Sequence, residues 1–147
     1  MGLMDTRLGK FVDAMANAKV ETIEYAAYNQ SVLTKMEELN LEQLNELGVF
    51  ADGTNTPDYA PFTIQEKIRK GQRYDHMTFR DTGATQQSII YLFNGNLVAD
   101  WNDYNNILGY LSDKSIDSTP IGLTPESMDE LKPEIAENVR KYILSKL

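Results

Sequence analysis

The stretch that most constrains this chain is residues 89–99, IIYLFNGNLVA. Two apolar runs, Ile89 to Phe93 and Leu97 to Ala99, flank Asn94-Gly95. Asn-Gly is the pair best suited to a two-residue type I′ turn, whose central residues both need positive φ. Ile, Tyr, Phe and Val on either side favour extended backbone. The spacing therefore predicts an antiparallel hairpin with Asn94 and Gly95 at its tip. Just upstream, Asp81-Thr82-Gly83 reads as a tight turn into the first strand. Met77 and Phe79 alternate with Thr78 and Arg80, which predicts a further strand ahead of the hairpin.

Helical patterns surround this centre. Leu8, Phe11, Val12 and Met15 fall at i, i+3, i+4 and i+7, one face of an amphipathic helix. Val20, Ile23, Ala27, Val32, Leu33, Met36 and Leu39 continue the stripe, so residues 5–39 fit either one helix or two. A single helix there would be about 50 Å long at roughly 1.5 Å per residue. Asn40-Leu41-Glu42-Gln43 matches a capping box, with Asn40 as N-cap of a short helix that Gly48 closes. Thr63-Ile64-Gln65-Glu66 matches a second, opening a helix that Gly71 closes. Residues 102–106 read as a polar loop. Thr124 and Pro125 suit the N-cap and first position of a helix, and Pro133 starts or kinks a final one. Ile135, Val139, Tyr142, Ile143 and Leu147 form its stripe. Helices, then antiparallel strands, then helices is an α+β order. The expectation is one domain over residues 1–147, with a helical segment at 1–48, a helix plus strands at 62–111, and C-terminal helices at 124–147.

The 147 residues suffice for a real core. No apolar run approaches the roughly 20 residues needed to span a bilayer, and the first residues lack the apolar core of a signal peptide. With no cysteine, disulfides, thiolate metal sites and a cysteine nucleophile are excluded. The net charge of −8 argues against general affinity for nucleic acid. Its distribution is uneven: −6 over residues 1–60, +3 over 61–80 and −5 over 81–147. The positive stretch holds Lys67, Arg69, Lys70, Arg73 and Arg80. Cations in the last turn of a helix are favourable in their own right; the same residues could instead meet a phosphate or an acidic partner.

Catalytic patterns are sparse. His76 is the sole histidine, and no GxSxG turn presents a serine to it. Asp75 adjoins His76, but on a strand the two would point to opposite faces. Asp100 and Asp103, close to Trp101 and Tyr104, are the best-placed carboxylates for sugar chemistry, although Trp101 at the end of an amphipathic strand reads as core. Residues 52–58 offer several oxygens but lack the EF-hand spacing. There is neither a GxxxxGK[ST] loop nor a GxGxxG turn to cradle a nucleotide. No cofactor and no metal are expected.

Thr82-Gly83-Ala84-Thr85-Gln86-Gln87-Ser88-Ile89 resembles a pattern of the head–tail connector and tail-completion proteins of tailed bacteriophages. These carry Thr-Gly, an apolar residue two further on, and Ser-Ile leading into a strand hairpin. The serine spacing agrees, whereas Thr85 occupies the apolar position. The family often follows its hairpin with a Tyr-Ala segment ending in Glu-Phe-Gly; here Tyr104 and Gly109 stand at that spacing without the Glu-Phe. The resemblance spans about thirty residues in the middle of the chain. It implies a non-enzymatic virion structural protein, assembled in the host cytoplasm, that acts as a ring subunit in head–tail joining or tail completion. Its partners would be copies of itself and portal, connector or tail subunits, with no membrane and no sequence-specific nucleic acid, and with packaged DNA contacted only in passing. Lys67, Arg69, Lys70, Arg73 and Arg80 would then make intersubunit or phosphate contacts, and Thr82, Gly83, Ser88, Asn94 and Gly95 would shape the turn and hairpin. The alternative, from charge alone, is a soluble acidic adaptor that binds a basic partner.

Overall fold

A computed structural model describes residues 6–17, 20–79, 88–101 and 104–146. The fold is α+β. Three helices, α1 (Arg7–Asn17), α2 (Val20–Ala27) and α3 (Gln30–Glu42), precede a π-helical turn at Gln43–Leu47. Then come α4 (Pro61–Arg69), the hairpin strands β1 (Ile90–Phe93) and β2 (Leu97–Asp100), α5 (Tyr104–Asp113) and the long α6 (Pro125–Leu144).

The stretch 5–39 is broken at Asn29. This residue leaves the helical region (φ −72°, ψ 173°), and its side chain accepts from the Val32 N–H, so it caps α3. The junction between α1 and α2 lies outside the described residues. Along α3 the buried positions are Val32, Leu33, Met36 and Asn40, and the stripe continues into the π-helical turn with Gln43 and Leu44. Val32, Leu33, Met36 and Leu44 meet Ile89, Tyr91, Trp101, Ile121 and Leu131 in one core. α3 thus carries β1 on one side and α6 on another, while α2 also lies along α6.

Several local expectations give way to longer-range partners. Asn40 caps nothing: it sits inside α3 with a fully buried side chain, and the helix runs on through Gln43. Gly48 does end this segment, at φ 62°. The helix expected to open at Thr63 begins at Pro61 instead, with Ala60 as an extended N-cap; proline suits the first turn because its missing N–H has no helical acceptor there. Residues 77–79 form no strand. Met77 donates its N–H to the Pro57 carbonyl (2.9 Å), Thr78 donates its N–H to the Tyr59 hydroxyl (2.9 Å), and Phe79 adopts φ 59°. The loop at 57–59 supplies the bonds that a neighbouring strand would have made.

The hairpin forms where the sequence places it, with a different turn. Ile90 pairs with Asp100, Tyr91 with Ala99, Leu92 with Val98 and Phe93 with Leu97. The loop is therefore three residues, Asn94-Gly95-Asn96, and of these only Gly95 has positive φ (101°). A type I′ turn would need positive φ at Asn94 as well. Instead the Asn94 side-chain oxygen accepts from the Asn96 N–H (3.3 Å), and Asn94 N–H donates to the Asn96 carbonyl (3.2 Å). α5 takes in Tyr104 to Asn106, which the sequence suggested as loop. The C-terminal segment is one helix of 20 residues that runs through Pro133, not two. Thr124 caps it as expected, accepting from the Ser127 N–H at 3.2 Å. Among the described residues, no helix is long and apolar enough to cross a membrane.

Candidate interaction surface

The basic segment lies where the end of α4 meets the π-helical turn. Asn45 and Glu46 from the turn, Lys70, Gly71, Gln72 and Arg73 from the end of α4, and Thr78 line a polar depression of about 440 Å³. The fold thus brings Lys70 and Arg73 together. Arg73 is held by carboxylates of the chain itself: Nε and one terminal nitrogen grip both oxygens of Asp75 (2.7 and 3.1 Å), and the other terminal nitrogen reaches Glu46 (3.1 Å). A bidentate guanidinium is a strong, planar partner for a carboxylate. The Arg73 hydrogen bonds hold the Asp75 carboxyl down at about 2, with a smaller contribution from His76. Arg69 pairs with Glu66 one turn back (2.8 Å), and that bond lowers the Glu66 carboxyl below its usual range. Lys67 is only 7% exposed, with its ammonium 5.1 Å from the centre of the Tyr59 ring. Arg80, Thr82 and Gly83 lie outside the described residues, and Ser88 is half-buried just before β1. Much of the positive charge in this region is therefore matched within the chain.

Asp75 and His76 do not sit on a strand, so the opposite-face expectation fails. The Asp75 carboxylate lies 3.3 Å from His76 Nδ1, and His76 Nε2 lies 2.9 Å from the Leu44 carbonyl oxygen. The imidazole lies close against Gly48, where a Cβ would fall 2.7 Å from the ring. His76 is thus a strut between the 72–79 segment and the π-helical turn.

The remaining candidates resolve into structural roles or leave the described region. Trp101 is a core residue, edge-on to Phe79 at 6.1 Å. Asp100 accepts from the Trp101 N–H (2.8 Å), and Asp103 lies outside the described residues. Asp52 receives the Thr54 N–H and hydroxyl and the Ser118 hydroxyl, tying the 51–54 turn to the 116–119 connection. These bonds, led by Ser118, lower its carboxyl. Among the described residues, no group of three histidine or acidic side chains could hold a metal ion.

Two features escaped the sequence reading. The first is a buried amide network. Asn40 donates to the Pro120 carbonyl (2.8 Å) and accepts from the Tyr91 hydroxyl (2.8 Å) and the Gly122 N–H (3.1 Å). Gln43 donates to the Gly122 carbonyl (2.8 Å) and accepts from the Thr124 N–H (2.9 Å). Burial pushes the Tyr91 hydroxyl well above its ordinary range, so it stays a donor. This network fastens the 120–124 turn, and hence the start of α6, to α3 and the hairpin.

The second is the outer face of the hairpin. Tyr91 and Ala99 point inward, while Ile90, Leu92 and Val98 lie on the opposite face and are 40%, 52% and 42% exposed. Leu92 and Val98 are direct cross-strand partners, so they form one contiguous apolar patch. The run of large apolar residues on both sides of Asn94-Gly95 was the available signal: a hairpin with one buried face needs only every second residue to be apolar.

Comparison with protein-family models, with curated proteins and with solved structures finds no match to this chain.

Proposed function

We propose that the chain is a non-enzymatic structural subunit that works by protein–protein contact, in the role the Thr82–Ile89 stretch resembles: a ring component in the head–tail joining or tail completion of a tailed bacteriophage. The observation that carries the contact reading is the apolar outer face of the hairpin, Ile90, Leu92 and Val98. Exposed apolar side chains gathered on one face favour contact with another protein. A surface patch that meets a different patch on the next copy generates a ring when the rotation closes. Arg69 and Arg73 already hold carboxylates of their own chain, so the apolar patch is the stronger candidate for the contact.

Leu92→Lys tests this. The side chain is exposed, so the variant should fold and melt like the wild type. If the wild type sediments as an assembly and the variant as a monomer, the contact reading stands. A wild type that stays monomeric at all concentrations and is absent from particle fractions would overturn it. A monomer that holds one basic partner and releases it in 1 M salt, where the Debye length falls to about 3 Å, would replace it with the acidic-adaptor reading.

A further inference from the structure

We infer that the hairpin tip is a self-modification site, at which Asn94 converts through a cyclic imide to aspartate and isoaspartate while the protein remains folded. The chemistry needs a side-chain amide, a following backbone nitrogen that can reach it, and water. Gly95 follows Asn94, and no side chain crowds it: a Cβ there would meet nothing within 4 Å. Asn94 is exposed to solvent. The Gly95 N–H donates to no acceptor among the described residues, so its removal breaks no bond of the fold. The Asn96 N–H donates to the Asn94 side-chain oxygen at 3.3 Å. That bond polarises the amide carbonyl and is placed to stabilise the oxyanion that forms when the carbonyl is attacked.

The steps balance without an oxidant or a second substrate. The Gly95 nitrogen gives its proton to solvent base and attacks Asn94 Cγ, forming a new C–N bond. The tetrahedral centre collapses, and the side-chain nitrogen takes up a proton and leaves as ammonia, closing a five-membered imide. Water then adds to one of the two imide carbonyls. Cleavage of the Cγ–N bond gives aspartate with the original backbone; cleavage of the other C–N bond gives isoaspartate, with an additional methylene in the main chain. Either product places a new carboxylate at the end of the apolar hairpin face. Isoaspartate also lengthens a three-residue loop that is closed by the Phe93–Leu97 pair.

The test is a time course on the full chain at mildly alkaline pH, folded and in urea, read by peptide-mapping mass spectrometry with fragmentation that separates aspartate from isoaspartate. The folded protein should gain the amide-to-acid mass increment at Asn94, at a rate comparable to that of the urea-unfolded chain. The chain's other asparagines, such as Asn29, Asn55 and Asn138, which lack a following glycine, should remain intact. Asn94→Gln, whose longer side chain would need a six-membered ring, should stay unmodified in both states. An Asn94 that converts in urea and stays intact in the folded protein would overturn the inference, because the hairpin would then protect the site. Conversion in neither state would overturn it as well.

Discussion

Asn40 shows how one buried amide can organise distant parts of a chain. Its side chain is fully buried and uses both its oxygen and its nitrogen on groups 51 to 82 residues away. In the sequence it follows an apolar stripe and precedes Gln43 by three positions, which is also the letter pattern of a helix start. The two readings differ only in what lies opposite, and the 120–124 turn that decides the matter is remote in sequence. Asn40→Leu would keep the volume and strand the Tyr91 hydroxyl, the Gly122 N–H and the Pro120 carbonyl. Each buried unmatched group costs about 1–3 kcal/mol, so the variant should lose about 3 kcal/mol or more, measured as a fall in the urea midpoint at unchanged slope. A midpoint equal to that of the wild type would remove Asn40 from its central place.

Asp75 makes a residue-scale prediction about pH. Its carboxyl is depressed from 3.8 to about 2, chiefly by Arg73. A carboxylate whose pKa is lower in the folded state binds fewer protons there than when unfolded. Its stabilising contribution is therefore complete above the unfolded value and is lost as the pH falls through the folded one. The wild type should lose more stability than Asp75→Asn between about pH 4 and pH 2, and the two curves should run parallel above pH 5. Urea midpoints across that range check it. His76 is harder to place from sequence, because Leu44 and Gly48, which it meets, come from a turn some thirty residues earlier.

At the scale of elements, the chain is legible where structure is set locally. Thr124-Pro125 starts a helix because cap and first-turn proline act within one turn. Gly48 and Gly71 close helices for equally local reasons. The 77–79 segment resists such reading. Met77 and Phe79 alternate as a strand would, yet the available hydrogen-bond partners are Pro57 and Tyr59, and Phe79 takes positive φ with its ring between Phe50 and Trp101. The hairpin is an intermediate case: Asn94-Gly95 fixes its place, while the pairing of Phe93 with Leu97 sets a longer loop. The same glycine is required in either turn. Gly95→Val should cost about 1–2 kcal/mol or more, since φ 101° is disfavoured for any residue with a Cβ and more so for a branched one. An unchanged melting temperature would contradict the turn geometry.

For the whole molecule, the core and the polar network bind helices from both ends of the chain to a two-stranded sheet, whose outer-face residues Ile90, Leu92 and Val98 stay 40–52% exposed. Of the surface residues suggested by sequence, Lys70 and Arg73 come together at one depression, Lys67 turns inward over Tyr59, and Arg69 pairs within its helix. Charge alone could not reveal this in full: Asp75 is a sequence neighbour of Arg73, but Glu46, its other carboxylate partner, is brought to it by the fold. The apolar patch was legible in composition but not in meaning until the pairing register put Leu92 beside Val98. The central claim is that this chain acts as an assembling subunit through that face. Native mass spectrometry of the purified protein over a range of concentrations tests it most directly. The account predicts a discrete multiple of the 16.7 kDa chain mass, lost in Leu92→Lys; a monomer at every concentration, unchanged by that substitution, would contradict it.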